Sequence, residues 1–133
     1  MTDTEWPEPQ AILAVLKSQM EKASAELKIA APDALKAGFD RARHAAEYEP
    51  DASPFHLAAL MFDGIATRHA LVDGNKRLAW LSAVVFLDLN GWYLDAPEVA
   101  SFEAGMAVIR REAGVETLTA FFEAHAIDLT EAR

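Results

Sequence analysis

Apolar residues recur along the chain at helical spacing, in stretches set apart by prolines, glycines and short polar runs. Over residues 10–27, Ile12, Leu13, Leu16 and Met20 share one face with Lys and Glu between them, and Pro7 and Pro9 stand ahead of the stretch. Ala31-Pro32-Asp33 opens a second predicted helix, because proline is tolerated in a first turn and an acid there suits the dipole. It carries Leu35, Phe39 and Ala42 and ends before the polar run 47–51. Ser53-Pro54 reads as an N-cap followed by proline at the first helical position. Leu57, Leu60, Met61, Ile65 and Ala66 then form the stripe of a third helix that ends near His69. The turn dipeptide Asp73-Gly74 leads into the most hydrophobic helix, 75–90, where only Ser82 and Asp88 are not apolar between Leu78 and Leu89. A helix apolar on all sides must be surrounded by others, which makes this one central. Asn90-Gly91 suits its left-handed cap. Residues 92–94 are short and extended at most, 97–112 and 116–127 are amphipathic helices parted by Gly114, and the polar tail DLTEAR is expected to fray. Six helices with no confident strand pair predict an all-α, compact single-domain bundle over residues 1–133, built around the buried helix 75–90.

Composition narrows the function. The 133 residues are 52% apolar and 25% charged, enough to fold as one core. The absence of cysteine excludes a disulfide framework, an iron–sulfur cluster, a thiolate zinc site and a cysteine nucleophile. Twelve Lys and Arg against 21 Asp and Glu give a net charge of −9, which argues against nucleic acid as a partner, because phosphate neutralisation by basic residues supplies most of such affinity. A small phosphorylated ligand needs only a few local donors and stays compatible. The start, MTDTEWPEPQ, has neither the basic nor the apolar region of a signal peptide, and no apolar run approaches the ~20 residues of a membrane span. These features predict a soluble protein of the cytoplasm, with no membrane partner.

One segment carries chemistry: HALVDGNKR, residues 69–77, between the end of one helix and the start of helix 75–90. The first N–H groups of a helix have no intrahelical partner and sit at the positive end of its dipole, so the terminus favours an anion. Lys76 and Arg77 add two cations where acids are the usual choice, and a bound polyphosphate accounts for them. Asp73 suits an N-cap and also Mg2+, a hard cation that takes one or two carboxylates together with phosphate oxygens. Gly74 permits a positive φ and close approach of backbone to phosphate. Asn75 either donates its amide to a phosphate oxygen or fixes the loop. His69 is a side-chain type that can accept a hydroxyl proton at neutral pH. Cradle, metal ligand and base within one short segment suit transfer from a nucleotide to a hydroxyl.

The same segment resembles the signature of Fic domains, HxFx(D/E)GNxRxxR, and more closely its variant in the Doc (death-on-curing) toxins, H-x-F-x-D-(A/G)-N-K-R. The match is sharp over residues 62–94. The resemblance implies the Fic/Doc fold, His69 as the catalytic base, Asp73 as the Mg2+ ligand, and Gly74, Asn75, Lys76 and Arg77 around the phosphates of ATP. Lys76 stands where AMP-transferring Fic enzymes usually have Gly. In Doc toxins that change goes with a flipped nucleotide, so that the γ-phosphate is transferred to a protein hydroxyl, the known target being a threonine of elongation factor Tu. The implied function is the toxin of a toxin–antitoxin module that arrests translation. The alternatives are transfer of AMP or another NMP on the same fold, or a catalytically weak protein that keeps the fold to bind a partner.

The chain departs from the pattern at three places. Trp80 replaces the last motif Arg, as Doc-like sequences generally lack it. Ala70 and Leu71 replace the usual Pro or Ile and the Phe that anchors the His loop, which leaves the loop to a smaller Leu71 or to Trp80 or Trp92. The resemblance also implies a target-docking flap before His69, placed around residues 48–55. The inhibitory pattern (S/T)xxxE(G/N) of many Fic proteins is incomplete: Thr4 to Glu8 and Thr119 to Glu123 have the spacing, but Pro9 and Ala124 follow. That favours a cognate antitoxin that is a separate small protein.

Overall fold

The computed structural model describes residues 3–131, which include six helices. They are α1 (Pro9–Lys22), α2 (Pro32–Tyr48), α3 (Pro54–Ala66), α4 (Asn75–Leu89), α5 (Glu98–Ile109) and α6 (Val115–His125). Their starts follow the prolines: α1, α2 and α3 each carry Pro in the first turn, and Ser53 caps α3 by accepting the His56 N–H at 3.0 Å.

Two helices end earlier than their apolar spacing predicts, for a common reason. After α1, Ser24 takes φ +59° and the Ala25 N–H reaches back to the Met20 carbonyl at 2.7 Å. After α5, Arg111 takes φ +62° and the Glu112 N–H reaches the Ala107 carbonyl at 2.9 Å. Both are left-handed closures of the kind usually built on glycine, made here by other residues. After α4, Gly91 supplies the positive φ at +91°, and the Asn90 side chain bonds the Phe86 carbonyl at 2.7 Å. The two ends of the Asn90 amide also pair with the N–H and carbonyl of Glu5, which ties the N-terminal segment to the end of α4.

Helix α3 is covered more completely than any other: α2, α4, α5 and α6 all pack on it, and ten of its residues are buried. Helix α4 lies beside it, with Leu78, Ala79, Ser82, Ala83, Phe86 and Leu87 buried, so the pair α3–α4 forms the centre. Ser82 is accommodated there because its hydroxyl donates to the Leu78 carbonyl at 2.7 Å. Glycines set the spacing of α2 on α3. A Cβ at Gly64 would stand 2.9 Å from the Gly38 carbonyl, and one at Gly38 would stand 3.0 Å from the Gly64 carbonyl.

The extended residues Trp92–Leu94 form a strand, β1, which pairs antiparallel with β2 (Ala126–Asp128), Tyr93 opposite Ile127. This corrects the expectation of no strand pair and of a helix running to 127. It also corrects that of a fraying tail: Asp128 closes β2 and the chain enters a turn, in which Asp128 accepts both the N–H and the hydroxyl of Thr130. The last two tail residues, 132 and 133, lie outside the described residues, as do 1 and 2. Trp92 packs edge-on against Phe55 at 4.9 Å, and so fastens β1 to the start of α3.

Candidate active site

Helix α3 ends three residues before His69, and the chain must turn there to enter α4. Its last carbonyls are satisfied locally. The Thr67 hydroxyl donates to the Asp63 carbonyl at 2.6 Å, and the Arg68 guanidinium donates to the Gly64 carbonyl at 2.8 Å. His69 then adopts φ +52°, a left-handed conformation that costs a non-glycine residue about 1–3 kcal/mol unless its surroundings enforce it. Its side chain is exposed.

The enforcement comes from the residues that follow. The Ala70 carbonyl accepts the N–H groups of Ala30 and Ala31, at 2.8 and 3.0 Å, and the Val72 N–H donates to the Lys28 carbonyl at 3.0 Å. Ile29 and Leu71 are therefore partners in a short antiparallel bridge. In this register the N–H and carbonyl of Ile29 face an open edge, and those of Leu71 face the opposite side. There the Asn75 carboxamide takes the place of a further strand: its Oδ1 accepts the Leu71 N–H and its Nδ2 donates to the Leu71 carbonyl, both at 2.9 Å. Of the two roles open to Asn75, this geometry uses its amide to fix the loop. Leu71 is 2% exposed and joins the core, so it anchors the loop in place of the usual Phe. Trp80 packs on Phe62 and Phe122, and Trp92 on Phe55.

The segment beside the motif is thus 28–31, in the α1–α2 connection. Residues 48–55 run from the end of α2 into the first turn of α3, whose thirteen residues span about 20 Å, at the far end from His69.

Gly74 occupies the N-cap of α4 with φ +94°, so the cap is backbone without a side-chain bond. This corrects the reading of Asp73 as N-cap. The Asp73 side chain is exposed, and its Oδ1 accepts the Gly74 N–H at 2.9 Å. Lys76 and Arg77 project from the first turn of α4, both exposed, and among the described residues neither forms an ion pair. The motif therefore brings a histidine, one carboxylate and two unpaired cations to a helix N-terminus that has no side-chain cap. No group of three or more His, Asp or Glu among the described residues could hold a metal ion by itself. A single carboxylate fits Mg2+ that completes its shell with phosphate oxygens and water.

Sequence reasoning missed Asp63, a carboxylate 3% exposed in the otherwise apolar face of α3. It pairs with Arg41 of α2 and, at 3.1 Å, with Arg111 of the turn after α5. The signal was present: one acid between Phe62 and Gly64 in an apolar helix requires a cation. The other histidines are dispersed. His44 and His56 lie on α2 and α3, and His125 bonds the Phe121 carbonyl at 2.9 Å. No helix among the described residues is long and apolar enough to cross a membrane.

Comparison with known proteins identifies the family. The model of the Fic/DOC family matches residues 6–87, which include α1 to α3, the whole motif and most of α4. Toxin Doc of Mycolicibacterium smegmatis is 44% identical over 73 residues, which are 53% of this chain and 55% of that protein. The chain thus spans about half the length of this curated relative. The chain belongs to the Fic/DOC family.

Proposed function

We propose that this chain is the toxin of a toxin–antitoxin module and that it transfers the γ-phosphate of ATP to a hydroxyl of a target protein in the cytoplasm, a translation factor such as elongation factor Tu. The observation that carries the reading is the pair of free cations, Lys76 and Arg77, at the α4 N-terminus within the segment that holds His69 in a left-handed turn. The relative named Toxin Doc supports the toxin role, and a separate antitoxin is the partner that role requires.

The chemistry follows from the positions. Lys76, Arg77 and the first N–H groups of α4 bind the phosphates and offset their charge. Asp73 would hold Mg2+, which neutralises charge developing on the phosphate oxygens. The target hydroxyl attacks the γ-phosphorus, a new O–P bond forms, the bond to the β,γ-bridging oxygen breaks, and ADP leaves. His69 takes the hydroxyl proton on a ring nitrogen. The open edge at Ile29, next to the His69 loop, suits an extended target segment, which would pair by main-chain hydrogen bonds.

Intact mass of elongation factor Tu, or of bulk lysate proteins, after incubation with the protein and Mg·ATP tests the reading. A gain of about 80 Da per target, absent with His69→Ala, is expected for one phosphoryl group. A gain of about 329 Da would mean AMP transfer instead. If Lys76 selects the phosphoryl product, Lys76→Gly moves the gain toward the larger mass. Neither gain, together with no growth defect on expression, would favour a protein that only binds.

A further inference from the structure

Lys76 and Arg77 follow His69 in the chain, and a second group of cations precedes it. An open cleft of about 420 Å3 lies between α2 and the end of α3, lined by Lys36, Arg41 and His44 of α2 and by Arg68. Two of these side chains converge on Gly64. The stem of Arg41 lies over it, so that a Cβ at Gly64 would stand 3.1 Å from the Arg41 Cβ, and the Arg68 guanidinium donates to its carbonyl at 2.8 Å. The start of α2 is also fastened to the loop that carries His69, through the Ala31 N–H on the Ala70 carbonyl at 3.0 Å. The cleft is therefore a neighbour of the histidine.

The ion pairs show which charge is left over. Lys36 is taken by Asp40 at 2.8 Å, and Arg41 by the buried Asp63. Asp33, the other acid of the lining, stands in the first turn of α2, where the helix dipole offsets it. Arg68 forms no ion pair among the described residues. One guanidinium with unused donors, in a chain of net charge −9, calls for a single negative charge. Small-molecule sites are mostly apolar and enclose their ligand. This cleft is mostly charged and open, which suits one side chain of a bound segment. We infer that the α2–α3 cleft is a specificity subsite that takes the carboxylate of an Asp or Glu in the target segment, held by the Arg68 fork with Arg41 beside it. Asp33 and Asp40 disfavour a doubly charged phosphate there. The Arg68 guanidinium reaches back about one turn of α3, and an extended segment advances about 3.3 Å per residue, so the acid falls about two to four residues from the acceptor hydroxyl. This inference rests on the transfer reading above and adds which targets are chosen.

Short peptides with a central threonine, carrying Glu, Gln or phosphoserine at one of the other positions, test it on the full chain. Binding is read by fluorescence anisotropy without nucleotide, and phosphoryl transfer by mass after Mg·ATP is added. Glu at one fixed position is expected to bind, and to be modified, about tenfold better than Gln there, the margin of a hydrogen bond to a charged group. Arg68→Gln removes the charge and keeps a donor for the Gly64 carbonyl. Ala37→Glu, at an exposed position of α2 in the same lining, supplies the cleft with a carboxylate of its own. Both variants are expected to erase the preference and to leave binding of the Gln peptides within twofold. Equal binding of Glu and Gln peptides overturns the inference, as does a preference unchanged in both variants or a set in which no peptide binds. Phosphoserine bound more tightly than Glu overturns the choice of a singly charged group. A Glu preference in binding without any transfer supports the cleft as a site for an acidic segment and removes the transfer reading instead.

Discussion

His69 is the residue where conformation and the proposed chemistry meet. A left-handed φ at a histidine is retained because the Ala70 carbonyl, buried Leu71 and the Asn75 carboxamide leave the loop no other path. If that strain is maintained for function, His69→Gly is expected to abolish transfer and to raise stability, by about 1 kcal/mol in denaturant melts, since glycine accepts the same φ without cost. Asn75 gives the complementary expectation. Asn75→Ala strips partners from two main-chain groups of a buried residue, so stability falls by about 1–3 kcal/mol. Amide exchange should locate the loss, with the Leu71 N–H freed and the α3 amides still protected. The types and spacing of the motif residues were legible in the sequence. The use of Asn75 was not, because it depends on residues 28–31, which no local pattern connects with 70–72.

Between elements, the connection without a sequence pattern is Asp63. Its carboxylate joins α2 through Arg41 and the α5–α6 turn through Arg111, and both arginines lie far from it along the chain. Asp63→Asn keeps the shape and removes the charge. It is expected to cost about 3 kcal/mol, the lower end for breaking a buried pair, because the Arg111 side chain is two-thirds exposed and can turn to water. Arg41→Met combined with Asp63→Leu should recover part of that loss if the cost is an unpaired charge rather than a lost shape. Helix existence was readable from apolar spacing and from the prolines at three N-termini. Two C-termini were not, since Ser24 and Arg111 take the turn that a glycine would have announced. The cleft between α2 and the end of α3 was hidden for a related reason: the spacing of two helices is a tertiary quantity, and Gly64 shows its part only once α2 lies on it.

For the molecule as a whole, α3 and α4 form the interior, and β1 and β2 fasten the two ends of the C-terminal half to each other. A pair of three-residue strands lies below what alternation can reveal. Ending the chain after His125 deletes β2 and the Leu129 N–H bond to Gly91, and it leaves β1 with an unpaired edge. Thermal melts should then shift down by several degrees, with the helical circular dichroism largely kept. The bridge between residues 28–31 and 70–72 carries a different consequence. Lys28 is exposed, in a connection that contains no motif residue. A protease that cuts beside it would release the backing of the His69 loop without removing a single motif side chain, and the six helices could stay assembled. One nick in an unremarkable linker would then silence the protein, well before any loss of the fold could be seen.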